Sequence, residues 1–187
     1  LSIDRVVESV ATLWDQVPHH SISLTGGEPL LQGARVEKLV GRLAVEGWPV
    51  MLETNGTLLP PLRKLGRDLA YVSMDLKLRS VDGERVVPTT QATFLTQAVA
   101  SGATTWVKVV IGPDTDLDEF DAGIAMVAGV SAGRADLIEV FLQPLTPFGA
   151  ASVAPSPDLV LELHERALRI HRRVRVVPQT HKAIGQL

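Results

Sequence analysis

The sequence contains no cysteine at all among its 187 residues. Disulfides and any thiolate-ligated metal are therefore excluded within this chain. It has no excess of positive charge: the formal net charge is −3, so it lacks the basic footprint of a protein whose main partner is nucleic acid. Aromatic residues are scarce, at 4%. No apolar run approaches the roughly 18 residues a membrane helix needs, and the first residues do not read as a signal peptide. A cytoplasmic protein is the expectation. What is present is 45% hydrophobic and 21% charged residues, a globular composition sufficient for one domain, residues 1–187, with a substantial core.

Periodicity divides the chain into alternating elements. Behind Ser2, a candidate N-cap, the residues Ile3, Val6, Val7, Val10, Leu13 and Trp14 recur at helical spacing and predict a helix over 3–15. The pattern then predicts strand 20–24, helix 35–46, strand 49–53, a helix near 61–67 opened by two prolines, and strand 70–76. A polar, Gly-containing loop precedes helix 90–101, strand 105–111, helix 116–129 and strand 137–142. A Pro-rich loop leads to helix 157–172 and a last strand near 174–177. Strand alternating with helix predicts a parallel α/β sheet or barrel. The chain opens on Leu1 at a helix rather than on a strand, and strand 20–24 is expected either to form a sheet edge or to pair with something outside the chain. N-terminal truncation is the expected reason.

Polar residues gather where the strands end. Strand 20–24 runs into Thr25-Gly26-Gly27-Glu28-Pro29, strand 49–53 into Glu53-Thr54-Asn55-Gly56, strand 70–76 into Ser73-Met74-Asp75-Leu76-Lys77, and strand 137–142 into Gln143-Pro144. In parallel α/β folds, ligands bind outside the carboxyl ends of strands. Alternation puts Ser73, Asp75 and Lys77 on one face, and likewise Glu53 with Asn55, Ser21 with Ser23 and Thr25, and Glu139 with Phe141 and Gln143. Polar side chains at i, i+2 on helix-covered strands are costly unless they meet partners or a ligand. Four such sets on different strands predict a polar concavity.

Taken singly, each motif has a plainer reading. Gly26-Gly27 lets backbone approach a ligand, yet a lone Gly-Gly is commonly a turn, as is Asn55-Gly56. Glu28 can accept from an ammonium group. Lys77 can pair with a carboxylate or stay solvated. Lys108, in an otherwise apolar strand, predicts a buried pairing or a role inside the concavity. His181 can act as a base or a donor, though a lone histidine near a terminus is usually a surface residue. His19, His20, His164 and His171 read as structural, and no metal site is assigned.

In combination, these motifs resemble the radical-SAM enzymes. Thr25-Gly26-Gly27-Glu28-Pro29-Leu30-Leu31-Gln32, Glu53-Thr54-Asn55-Gly56-Thr57, Ser73-Met74-Asp75-Leu76-Lys77 and Phe141-Leu142-Gln143-Pro144 occur in that family's order and at about its spacing. The ending Val177-Pro178-Gln179-Thr180-His181-Lys182-Ala183-Ile184-Gly185 narrows the resemblance to the 7-carboxy-7-deazaguanine synthase family. It implies a partial parallel (βα) barrel of radical-SAM type missing its first strand. It also implies a carbon–nitrogen lyase of queuosine and deazapurine biosynthesis, which rearranges 6-carboxytetrahydropterin to 7-carboxy-7-deazaguanine. The cofactors implied are S-adenosylmethionine, a [4Fe-4S] cluster and Mg2+. The partners implied are the pterin substrate, an electron donor such as flavodoxin or ferredoxin, and a second copy in a homodimer.

Position by position, the resemblance assigns Gly26, Gly27 and Glu28 to the methionine part of S-adenosylmethionine. Ser73, Asp75 and Lys77 match a second contact with that cofactor, and Gln143-Pro144 a third. Thr25, Glu53, His181 and the carboxylate of Leu187 match substrate contacts. The departure is that the family's Cys-x3-Cys-x2-Cys-like segment, its magnesium ligand and its first substrate contacts have no counterpart here. The polypeptide as given is expected to be inactive, as the body of a longer enzyme. Two other readings stay open: an activase that installs a glycyl radical on a partner protein, and a binding module that keeps the pocket without the chemistry.

Overall fold

The computed structural model describes residues 2–83, 87–132, 138–147, 153–180 and 185. Helix α1 (Ile3–Trp14) begins where the Ser2 hydroxyl accepts the Arg5 amide at 3.3 Å, the expected N-cap. Strand β1 (Ile22–Leu24) follows, then a 3-10 turn over Pro29–Gln32, helix α2 (Ala34–Val45) and strand β2 (Val50–Thr54). Helix α3 (Leu59–Leu65) takes both prolines into its first turn, so it starts earlier than the sequence pattern predicts. There the missing proline N–H groups would have no helical acceptor anyway.

Beyond it lie β3 (Tyr71–Leu76), a single helical turn α4 (Arg79–Asp82), α5 (Pro88–Ala100), β4 (Thr104–Ile111), α6 (Leu117–Val130), β5 (Glu139–Pro144), α7 (Pro157–Ile170) and β6 (Val174–Val176). Asp116 and Ser156 cap α6 and α7 through the Glu119 and Leu159 amides, at 2.8 and 3.2 Å. The 3-10 turn over Pro29–Gln32, a second over Gly66–Asp68 and α4 are the elements that periodicity did not predict, since none is long enough to show a helical period.

All six strands are parallel and their order in the sheet is their order in the chain, β1-β2-β3-β4-β5-β6. β1 is one edge, one of the two outcomes the sequence allowed. Each crossover adds its strand on the same side, and parallel crossovers are right-handed, so the helices all fall on one face. They do so as a continuous layer in which α1 meets α2, α2 meets α3, α3 meets α5, α5 meets α6 and α6 meets α7. Against this layer the sheet presents Leu52, Val72, Met74, Leu76, Val107, Val109, Ile111, Val140 and Leu142, all buried, and α2, α5, α6 and α7 answer with Val40, Leu43, Phe94, Leu95, Phe120, Ile124 and Leu163. At roughly 25 cal/mol per Å² of apolar surface removed from water, this layer is the main stabilising contribution.

Winding in one direction leaves the other face without helices among the described residues. Register and alternation put Met51, Glu53, Tyr71, Ser73, Asp75, Trp106, Lys108, Glu139, Phe141, Gln143 and Arg175 on it. This is the polar concavity expected from the sequence. Among the described residues, no helix is long and apolar enough to cross a membrane.

Candidate functional site

A polar cavity of about 360 Å³ opens at the carboxyl ends of β1, β2 and β3, lined by Thr25, Gly27, Glu28, Glu53, Thr54, Asn55, Asp75 and Lys77. Three of the motifs read from sequence thus converge on one space. Its floor is the end of the sheet, where register sets Glu53 beside Ser73 and Asp75 beside Lys108.

Lys108 organises the charges. Its ammonium lies 3.2 Å from Glu53 Oε2 and 3.1 Å from Asp75 Oδ1, joining β4 to β2 and β3 across the concave face. Burial works to lower the Lys108 pKa. The charges of Asp75 and Glu53 and the hydrogen bonds to both outweigh that effect and hold it above the usual lysine value. The Thr25 hydroxyl reaches the same Glu53 oxygen at 3.5 Å. Ser73, between these groups, is 1% exposed, and its hydroxyl has no hydrogen-bond partner among the described residues. A buried orphan hydroxyl costs free energy unless a ligand or water completes it.

Glu28 lines the cavity, but its carboxylate is engaged within the protein. Oε1 accepts from the Leu30 amide at 3.1 Å and the Thr54 hydroxyl at 2.9 Å, and Oε2 accepts from the Asn55 amide at 2.8 Å. It caps the 3-10 turn and ties the Gly-Gly loop to the end of β2. Asn55 is likewise turned inward: its side-chain oxygen accepts from the Thr57 amide at 3.1 Å and the Thr57 hydroxyl at 2.7 Å, making an Asx turn. Gly56 follows at φ +70°, where an added Cβ would lie 2.6 Å from Met74 Sδ, so glycine is required by both conformation and space. Gly27, at φ +54°, differs: nothing lies within 4 Å of where its Cβ would be. Its backbone is open to the cavity.

Lys77 stands at the rim, 3.7 Å from Asp82. Gln143 ends β5 on the concave face, opposite Val110, whereas Pro144 falls on the other face beside Ile111. His181 and Leu187 lie outside the described residues. The four described histidines are all engaged: His171 Nε2 meets the Ile138 carbonyl at 2.8 Å, His164 Nε2 the Val174 carbonyl at 3.3 Å, His19 Nε2 the Leu13 carbonyl at 3.0 Å, and His20 Nδ1 the Ser21 hydroxyl at 3.1 Å. One residue not anticipated is Gln91 of α5. Buried among apolar neighbours, its amide donates to the Asn55 and Asp75 carbonyls at 2.9 and 3.0 Å, fixing the two strand ends that carry the cavity. A glutamine on the buried face of a helix is its only sequence signal.

A larger cavity, about 690 Å³, lies at the amino ends of the strands, lined by His20, Tyr71, Trp106, Phe141, Glu139 and Arg173 among others. Of the residues in the strand-end motifs and polar sets it holds only Glu139 and Phe141.

Comparison with solved structures gives the class. The chain superposes on a domain of pyruvate-formate lyase-activating enzyme from Bacteroides vulgatus with a TM-score of 0.63, over 85% of this chain and 99% of that one, at 15% identity. It superposes on archaeal TYW1 with a TM-score of 0.55, over 89% and 59%, at 17% identity. Such identities speak to fold alone, and the fold is that of the radical-SAM enzymes.

Sequence comparison is more particular. The chain is 36% identical to the 7-carboxy-7-deazaguanine synthase of Geobacter sulfurreducens, across all of this chain and 72% of that protein. It is 34% identical to the synthase of Methanopyrus kandleri, across 97% and 67%, and 29% identical to that of Thermococcus kodakarensis, across 100% and 70%. No family model matches the chain. It belongs to the 7-carboxy-7-deazaguanine synthase family.

The groups this family implies fit unequally. For S-adenosylmethionine the lining is suitable: an open glycine backbone, the carboxylates of Glu53 and Asp75 and a rim lysine, with the Ser73 hydroxyl buried behind them. For a [4Fe-4S] cluster it is not. The 187 residues include no cysteine, and the described residues hold no cluster of three His, Asp or Glu that could bind a metal.

Proposed function

We propose that this chain, as one radical-SAM core domain, supplies the S-adenosylmethionine and pterin cavity of a 7-carboxy-7-deazaguanine synthase, the lyase that rearranges 6-carboxytetrahydropterin to 7-carboxy-7-deazaguanine. The observation that carries the proposal is the convergence of Thr25, Gly27, Glu53, Asp75 and Lys77 on one polar cavity at the strand ends, in a chain of this family. Gly26 and Gly27 offer open backbone to the methionine part of S-adenosylmethionine, and Glu28 holds that loop in place from behind. Ser73, Asp75 and Lys77 provide a hydroxyl, a carboxylate and an ammonium for its polar groups, with Gln143 on the same face at the end of β5 and Pro144 contributing through its backbone alone. Glu53 and Thr25 face the pterin, whose amino-pyrimidinone edge is rich in N–H donors and suits a carboxylate acceptor. His181 and the Leu187 carboxylate complete the substrate set.

S-adenosylmethionine, when bound, supplies the adenosyl group from which this class of enzyme draws its hydrogen-abstracting radical. The residues present bind, orient and exclude water. These residues include no thiolate to hold an iron–sulfur cluster, so their own part is binding and orientation, and the electron that cleaves S-adenosylmethionine would have to come from groups outside them. The chain reconstituted by itself with iron and sulfide is therefore expected to show no turnover. Magnesium, a flavodoxin- or ferredoxin-like electron donor, a homodimeric state and a cytoplasmic setting belong to the same reading and rest on the family resemblance.

Binding tests it directly. Titration calorimetry of this chain with 6-carboxypterin, the oxidised analogue of the substrate, is expected to give measurable affinity. Glu53→Gln, which keeps shape and removes charge, should weaken it about tenfold or more. Equal affinity of the wild type and Glu53→Gln, or no binding by the wild type, would remove the pterin from this cavity.

A further inference from the structure

Lys108 was not among the residues that the family motifs assign, yet it has the most consequential position on the concave face. It sits in mid-β4 with only 20% of its side chain exposed, and its one ammonium meets two carboxylates from two other strands. The contacts fall on Glu53 Oε2 and Asp75 Oδ1. Glu53 Oε1 and Asp75 Oδ2 accept no hydrogen bond from the described residues, and both side chains line the cavity.

The charge count matters as well. Two carboxylates and one ammonium leave a surplus of one negative charge. The other charges around Lys108 do not cancel it. Lys77, beyond β3, is turned toward Asp82 at 3.7 Å, and the Glu28 carboxylate is spent on backbone amides and Thr54. From β5, the residue beside Lys108 is the uncharged Phe141, and two positions below it Glu139 is paired with Arg175 at 2.7 Å.

We propose that Lys108 is a positioning residue for this cavity: its ammonium clamps Glu53 and Asp75 side by side and leaves one free oxygen of each for the donor-rich edge of a ligand. The proposal rests on the cavity being the binding site. Without the clamp, two carboxylates on neighbouring strands would repel and turn apart, or one would take up a proton and become a donor where the ligand needs an acceptor. Lys108 thus acts through the two acids.

Three variants test it in this chain: Lys108→Met, Lys108→Arg, and Lys108→Met combined with Glu53→Gln. Two readouts are measured, 6-carboxypterin affinity by calorimetry and thermal midpoint across pH 4 to 8 (a range set by carboxylate titration). Lys108→Met should bind about thirtyfold more weakly and Lys108→Arg within about threefold of wild type, because a buried charge has lost its partner in one and kept it in the other. In Lys108→Met the unopposed acids are more easily protonated folded than unfolded. Their penalty is therefore relieved at low pH and grows as pH rises, so the gap in midpoint from wild type should widen with pH. The double variant should regain much of that gap, since one acid no longer opposes the other.

A lysine that merely fills space would give a gap independent of pH and no recovery in the double variant, and that result overturns the proposal. If the wild type binds no 6-carboxypterin, the cavity reading fails separately, while the pH-dependent gap still decides whether Lys108 clamps the acids. Should Lys108→Met not fold, the double variant folding with a wild-type-like midpoint supports the clamp, and its failing to fold overturns it.

Discussion

The same concave face carries two cavities that differ in nearly everything but their strands. At the carboxyl ends the space is about 360 Å³ and is bounded by glycine backbone, hydroxyls and charges. At the amino ends it is about 690 Å³ and is bounded by rings, with His20 over Tyr71 at 4.7 Å between centroids and Tyr71 beside Trp106 at 6.1 Å. Along a given strand, the two environments are set by side chains only two to four residues apart. Tyr71 lines one cavity and Asp75 the other; Trp106 lines one, and Lys108 pairs with the two acids that line the other. Size is a poor guide to chemistry here. The smaller cavity holds the converging polar groups, and they are held there by bonds that reach between segments distant in sequence.

The difference in bracing can be broken most sharply at Glu28. Its carboxylate takes two backbone amides and a hydroxyl from three residues, so Glu28→Ala strands several partly buried donors at once. A loss of about 3 kcal/mol is expected from that count. Loss of 6-carboxypterin binding should accompany it, because the Gly-Gly loop is then free to leave the end of β2. Chemical denaturation and calorimetry on the same preparation check both parts. A stability loss with intact binding would show that the loop is placed by something else.

Trp106→Ala is the counterpart at the amino ends. The indole is half-buried and pairs with one ring, so about 2 kcal/mol is expected from the apolar area and ring contact removed. The sharper expectation is qualitative. Ligand affinity at the other cavity should stay within about threefold of wild type, since Trp106 shares no hydrogen bond with the acids. A large fall in affinity would mean that the two ends are coupled through β4, and the contrast between them would have to be abandoned.

How much of this could be read from sequence differs between the two cavities for a physical reason. Alternation along a strand is local, so Ser73 with Asp75, and Glu53 with Asn55, could each be placed on one face of their own strand from spacing, while Lys108 could be read only as a lysine needing a buried partner. The winding of the helices onto the other face follows from strand–helix alternation and handedness. The engagement of Glu28 was not legible, because its partners Thr54 and Asn55 come from a different strand and the register between strands is not local. Gln91 was missed for the same reason: its acceptors are carbonyls, which no residue pattern marks. The aromatic cavity was missed because His20, Tyr71, Trp106 and Phe141 come from four separate strands or their approaches, and each alone looks like an ordinary strand residue. The two 3-10 turns and α4 are too short to show a period.

The smallest expected effect comes from a second carboxylate brace at the carboxyl ends, and it tests whether Glu28 is one case of a general device. Glu119, in the first turn of α6, accepts the Arg79 amide at 2.6 Å, the Ser80 amide at 3.0 Å and the Ser80 hydroxyl at 2.7 Å, pinning the turn that follows β3. Burial works to raise its pKa. The hydrogen bonds from the Ser80 amide and hydroxyl and from the Arg79 amide outweigh that effect and hold it below the usual glutamate range. A depressed carboxyl stabilises the fold at pH values above its unfolded pKa, and that contribution is lost as pH falls through its folded pKa. Glu119→Gln removes the titration while keeping the shape. Its midpoint should therefore sit below wild type at neutral pH, and the gap should close as the medium is acidified below the ordinary glutamate range. Thermal melts at neutral and acid pH decide the matter: a gap that persists unchanged in acid would assign Glu119 a steric part only, leaving Glu28 as the sole charged brace of this end of the sheet among the described residues.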